Sequence, residues 1–172
     1  MRSINGLIML TYAMKMIRAL LIGAGCFFFN SCDFEIPLTV KPTRTIDSRL
    51  LGDWVFVNVN AQKIEYMNVR KLDDSTYVVS SDGELYRAYH SDFAGTAFLS
   101  VQELTVTDGK YLYMTYQVSA DGTKLGLKSV NTKVIPGTTK GQAALQELIK
   151  QNLANPKLFD DEVLYTRKKF DK

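Results

Sequence analysis

The chain has 172 residues, of which 46% are hydrophobic, and its formal net charge is +3 at pH 7. Three of its 21 basic residues, and none of its 18 acidic residues, lie before residue 33, so the remainder carries 18 of each and is neutral. Nucleic-acid binding needs a concentrated basic face, so we expect no nucleic-acid partner.

The first 32 residues have the features of an export signal. Two basic residues precede an apolar run, Ala19–Phe29, which is too short to span a bilayer comfortably. A short basic segment followed by such a run is typical of a secretory signal peptide. We therefore predict a signal over residues 1–32, with translation beginning at Met14 or Met16, and an exported protein.

The end of this segment, Phe27-Phe28-Phe29-Asn30-Ser31-Cys32, resembles the lipobox of bacterial lipoproteins, in the form with serine before cysteine that the Bacteroidetes group uses. The resemblance implies cleavage after Ser31 and a diacylglyceryl group with a further fatty acid, such as palmitate, on Cys32. Several acyl chains anchor a protein stably where a single chain does not. Cys26 is the alternative acceptor. The implied location is the cell envelope, on the outer membrane rather than the inner one.

Both cysteines of the chain lie within this segment. The rest of the chain therefore has no thiol, which excludes disulfides, thiol catalysis and cysteine-based metal sites there.

Residues 33–48 contain two prolines and several threonines. This composition predicts an extended linker that separates the following domain, residues 49–172, from a membrane.

From Gly52 onward, short runs rich in Val, Tyr, Phe and Thr alternate with turn residues. Three of the breaks are Asp-Gly pairs, at residues 82, 108 and 121, and Asp-Gly favours tight hairpin turns. The pattern predicts consecutive antiparallel strands at 53–60, 63–72, 76–81, 84–91, 96–106, 110–118 and 123–135.

A single helix is predicted before the last strand. Thr139 and Gln142 match a capping box, and an apolar stripe follows at helical spacing. Residues 162–167 then form an eighth strand. Eight strands are about the number that closes into a small barrel, so the predicted fold is mainly β, an antiparallel eight-stranded meander that closes into a small barrel.

Leu51-Gly52-Asp53-Trp54 resembles the Gly-x-Trp element that opens lipocalins and the lipocalin-like domains of bacterial lipoproteins. In that family the tryptophan closes one end of the barrel and an arginine from near the C-terminus stacks across it. The resemblance implies a lipocalin-like barrel with Trp54 and Arg167 as a structural clasp. It also implies that the barrel binds a small hydrophobic ligand or lipid, and the candidate lining residues are Tyr66, Tyr89, Phe98, Tyr113 and Tyr116.

Few residues could support catalysis. His90 is the only histidine, and with Asp92 or Glu103 it could form an acid–base pair, although a histidine on the surface or in a turn explains it better. Carboxylates are not spaced as in a metal site, so we expect no metal and no cofactor.

Three functions remain open. The first is a non-catalytic envelope lipoprotein that acts as a structural or protein-interaction module, whose partner is an envelope protein. The second is a lipocalin-like carrier of a small hydrophobic ligand, and the third is an enzyme that uses His90. A filled interior and a contiguous exposed aromatic patch would favour the first function, and a cavity with an open mouth the second. The third requires His90 in a cleft, with Asp92, Glu103 or a hydroxyl within hydrogen-bonding reach.

Overall fold

The strands and the helix fall close to their predicted positions. The structure, a computed structural model, describes residues 34–59, 62–106 and 109–168, so the signal, Cys26 and Cys32 lie outside the described residues. The strands are β1 (Gly52–Asn58), β2 (Lys63–Lys71), β3 (Thr76–Ser81), β4 (Glu84–His90), β5 (Phe98–Glu103), β6 (Tyr111–Val118), β7 (Lys124–Ser129) and β8 (Val163–Arg167). A 3-10 turn, Ser48–Leu50, precedes β1, and helix α1 is Gln142–Asn152.

The eight strands form one closed antiparallel barrel in chain order. Closure is made by β1 and β8, where Trp54 lies opposite Arg167 and Val55 opposite Thr166. The predicted fold, a meander that closes into a barrel with one helix before the last strand, is therefore confirmed.

The β3–β4 connection shows why this meander forms from local sequence. Asp82 and Gly83 both have positive φ angles, 51° and 92°, and Ser81 pairs directly with Glu84 across them. Positive φ at both central residues defines the type I′ turn, whose twist matches the flanking strands. This Asp-Gly pair acts as predicted.

Alternate connections of a meander lie at the same end of the barrel. The β2–β3, β4–β5 and β6–β7 connections lie at the end where β1 begins, close to Trp54, and we call it the Trp54 end. The β1–β2, β3–β4, β5–β6 and β7–β8 connections lie at the other end, where β6 begins, and we call it the Tyr111 end.

Side chains that point into the barrel form one apolar cluster. Its bulkiest members are aromatic, and partly buried Phe56 and Tyr116 pack against them. The cluster is Leu50, Trp54, Met67, Val69, Tyr77, Val79, Tyr86, Ala88, Leu99, Leu125 and Tyr165.

A second cluster lies on the outer face of β5 and β6. Helix α1 contributes Leu145 and Ile149, and these pack with Phe98 and Tyr113 of the two strands. Leu148 and Leu153, the other apolar positions of the helical stripe, are partly buried against the same cluster. The stripe thus faces the barrel wall, as its 3.6-residue spacing requires.

The linker prediction for residues 33–48 is wrong for the part that the structure describes. Phe34 and Leu38 are buried in the outer cluster, and Phe34 pairs with Tyr111 through two backbone hydrogen bonds of 2.8 Å. Further along, the Thr43 amide donates to the His90 carbonyl at 2.9 Å. The segment crosses the outside of the barrel and belongs to the same compact unit as the strands.

Two local predictions also differ from the structure. The seventh strand ends at Ser129, because the chain then turns and buries Ile135 in the outer cluster. The predicted capping box is absent: Gly141 is the N-cap without a side-chain hydrogen bond, and the Thr139 hydroxyl donates to the Pro136 carbonyl at 2.6 Å.

Candidate functional site

The Trp54 end is closed by a clasp between the first and last strands. The Arg167 guanidinium carbon lies 4.2 Å from the centroid of the Trp54 ring. Trp54 is fully buried, and its indole N–H donates to the Leu50 carbonyl at 2.9 Å. The structure therefore brings together the two residues that the sequence predicts as a clasp.

Arg167 also satisfies three backbone carbonyls. Its Nε donates to Gly122 at 2.7 Å, and its two terminal nitrogens donate to Leu51 and Arg49, each at 2.6 Å. Gly52 has a φ of 144°, and a Cβ there would collide with the Arg167 side chain. The glycine of the Gly-x-Trp element is needed because the guanidinium occupies that space.

His90 is fully buried, at the end of β4, so its prediction as a surface or turn histidine is wrong. It points inward because it is in phase with Tyr86 and Ala88 on the same strand. Its Nε2 forms a 2.9 Å hydrogen bond with the Tyr77 hydroxyl, and its Nδ1 has no partner within the described residues. Burial and the nearby Arg44 charge lower the pKa of His90, which favours the neutral ring.

The hydroxyl of Tyr77 connects His90 to the segment that covers this end. It accepts from the Asp47 amide at 2.5 Å, and burial raises the pKa of Tyr77 to about 12. Asp47 is held charged by Arg49, whose hydrogen bonds lower the pKa of that carboxyl to about 2. Tyr116 also donates to the Asp47 carboxylate at 3.2 Å. These contacts pin the chain before β1 across the Trp54 end.

Neither proposed partner makes His90 an acid–base pair. Asp92 forms an ion pair with Arg44 at 2.8 Å. On β5, the residue opposite His90 is Leu99. Glu103 is four residues further along β5, opposite Tyr86, so it lies towards the Tyr111 end of the barrel. The groups around His90 thus form a structural network.

Four of the five candidate ligand-lining residues lie outside the barrel. Phe98 and Tyr113 belong to the outer cluster, and the Tyr89 hydroxyl donates to the Thr39 carbonyl at 2.9 Å. Tyr66 faces solvent. Only Tyr116 packs against the interior cluster, so the predicted lining is wrong for the other four. Successive side chains of a strand point to opposite faces, and these four point out of the barrel.

The structure instead shows an apolar patch on the outer face of β1, β2 and β8. Val57 lies directly opposite Ile64, and Val55 opposite Tyr66. Leu164 lies on the same face, two residues before Thr166, the β8 partner of Val55. We call Val57, Ile64, Tyr66 and Leu164 the outer patch, and each is between 45% and 56% exposed.

The outer patch is a feature that the sequence analysis missed. Its signal was present, because β1 has apolar residues on both faces: Trp54 and Phe56 on one, Val55 and Val57 on the other. A strand with a single buried face alternates apolar and polar residues, so a second apolar face indicates a further contact surface.

Two further features are absent from the described part of the chain. It contains no cluster of three or more histidine, cysteine, aspartate or glutamate side chains suited to a metal ion. It also has no helix with the length and hydropathy required to cross a bilayer.

Comparison of the chain with protein-family models, curated proteins and solved structures finds no significant match.

Proposed function

We propose that this chain is a non-catalytic lipoprotein of the cell envelope, anchored through Cys32, whose barrel is a protein-interaction module. The outer patch is the observation that carries the interaction part of the proposal. Contiguous exposed apolar surface is costly in water, and on a folded domain it marks contact sites. The lipobox resemblance supports the anchor and the export.

The interior supports an interaction module over a ligand carrier. Trp54, Tyr77, Tyr86 and Tyr165 point inward and are each less than 8% exposed, so bulky side chains occupy the space that a carrier would leave for its ligand. In an eight-stranded barrel, inward side chains are enough to fill the centre.

The surroundings of His90 support a non-catalytic role. A general acid or base must reach a substrate proton, whereas His90 is fully buried and its Nε2 is engaged by Tyr77.

The test is a charge placed in the outer patch. Ile64→Glu puts a carboxylate opposite Val57, and desolvating that charge against a partner would be costly. We expect wild-type protein, extracted from its own envelope, to carry a stable partner chain in native mass spectrometry, and Ile64→Glu to lose that chain.

Leu72→Glu is the matched control. Leu72 is an exposed aliphatic side chain of the same size as Ile64, and the exposed fractions are 59% for Leu72 and 51% for Ile64. Leu72 lies in the β2–β3 connection, outside the outer patch. This variant should retain the partner. A bare wild-type domain, or a partner that survives Ile64→Glu, would contradict the proposal, and a non-covalent lipid released from wild type would favour the ligand carrier.

A further inference from the structure

The chain enters the domain at a fixed point. Phe34 exchanges two 2.8 Å backbone hydrogen bonds with Tyr111, and its ring packs 4.4 Å from the ring of Tyr113, centroid to centroid. The Phe34 side chain is 1% exposed. Residue 34 is therefore held rigidly on the barrel wall.

Little chain separates this point from Cys32. Two residues span at most about 7 Å, even when fully extended. Because residue 34 cannot leave the wall without losing its contacts, a lipid on Cys32 holds the membrane surface close to Phe34 and Tyr111. No linker is available to separate the barrel from the bilayer.

Tyr111 is the first residue of β6, so the anchor leaves the barrel at the Tyr111 end. That end displays four exposed apolar side chains, Val59, Leu85, Leu104 and Val106, between 41% and 80% exposed. We call them the loop cluster. Leu85 and Leu104 are adjacent, since the Leu104 amide donates to the Leu85 carbonyl at 2.8 Å.

The opposite end differs. In the connections of the Trp54 end, which the structure describes throughout, Leu72 is the one large apolar side chain of comparable exposure. Val40, which is 73% exposed, lies in the segment that Tyr89 and His90 hold at this end. Within the connections, exposed apolar residues are more numerous at the Tyr111 end, which has Val59, Leu104 and Val106, than at the Trp54 end.

Charges at the Tyr111 end are largely compensated. Lys63 forms ion pairs with Asp82 and, at 3.6 Å, with Glu65. Lys140 pairs with Glu35 beside the entry point. Two lysines at this end are therefore partly neutralised, and the exposed apolar side chains are the groups that we consider suited to a bilayer interface.

We propose that the Tyr111 end of the barrel lies against the lipid bilayer that holds the anchor, with the loop cluster inserted among the headgroups. This inference rests on the proposed lipid on Cys32. It gives the domain a single orientation, in which the Trp54 end points away from the membrane and the outer patch stands at the side of the barrel, accessible to an envelope protein.

The test compares reporters at the two ends of the lipidated protein. Leu104→Cys and Leu72→Cys each introduce one thiol at an exposed leucine, 47% and 59% exposed. Cleavage after Ser31 removes Cys26, and the lipid occupies the Cys32 sulfur, so the introduced thiol alone takes a fluorophore. Each labelled protein is placed in phosphatidylcholine vesicles that contain a nitroxide-headgroup lipid.

We expect the Leu104 reporter to lose fluorescence and the Leu72 reporter to keep it, because strands of six residues or more separate the two ends by about 20 Å. Equal quenching at both positions, or none at either, in protein whose mass shows a lipid on Cys32 would overturn the orientation alone. A mass without lipid on Cys32 would overturn the proposed anchor, and the orientation with it.

Discussion

At the residue scale, Arg167 combines ring stacking with hydrogen bonding. Its planar guanidinium stacks on Trp54 and donates to three carbonyls, of which two lie in the turn before β1 and one in the β6–β7 connection. Lysine could not replace it, because an ammonium group lacks this fixed fork of donors.

We therefore predict that Arg167→Ala lowers the free energy of unfolding by about 2–4 kcal/mol, since hydrogen bonds from a charged group and a cation–π contact are both lost. Urea denaturation measures this value. Lys71→Ala is the control, because the Lys71–Asp74 ion pair is exposed and such pairs contribute about 0–1 kcal/mol. Equal losses for the two variants would show that Arg167 has no clasp role.

The sequence predicted the clasp but not the position of His90. Gly52 and Trp54 form a recognisable local element, and Arg167 lies in the last strand, so the pair could be proposed without coordinates. His90 was misassigned because it ends a strand beside polar residues. Tyr77 on β3 and residues 43–47 cover His90. Both are distant from His90 in sequence, so no local pattern predicts its burial.

At the scale of elements, the segment before β1 changes the account most. Its prolines and threonines are typical of a linker, yet its carbonyls accept hydrogen bonds from side chains of the barrel and of α1. The Leu38 carbonyl accepts from Gln142 and Gln146, and the Ile36 carbonyl from the Tyr113 hydroxyl. Composition alone cannot show such long-range contacts.

Leu38 and Val40 provide a matched test of this segment, because they are 0% and 73% exposed. We predict that Leu38→Ala destabilises the domain by about 2–5 kcal/mol through a cavity in the outer cluster. Val40→Ala should change stability by less than about 0.5 kcal/mol. If both variants unfold at the wild-type urea concentration, the segment is a linker after all.

Strands and turns were easier to predict than this segment. Alternation within β6 and the Asp82–Gly83 turn depend on neighbours in the chain, and both act as the sequence indicates. The end of β7 depends on Ile135 packing against α1 and β6, which no local pattern contains.

At the scale of the whole molecule, the barrel separates three surfaces. The interior cluster stabilises the fold, the outer patch is the surface that we propose contacts a partner, and the loop cluster lies at the end from which the proposed anchor would leave. The number of strands predicted that the sheet closes into a barrel. It could not predict which apolar side chains face outward, since that depends on the register between β1, β2 and β8.

The proposed anchor on Cys32 is the claim on which the location and the orientation both rest. Its most direct test is the intact mass of the mature protein extracted from its own membranes. We predict a chain that begins at Cys32 and carries a diacylglyceryl group and a further fatty acid. A mature chain that begins elsewhere, or one that begins at Cys32 without lipid, would contradict the account.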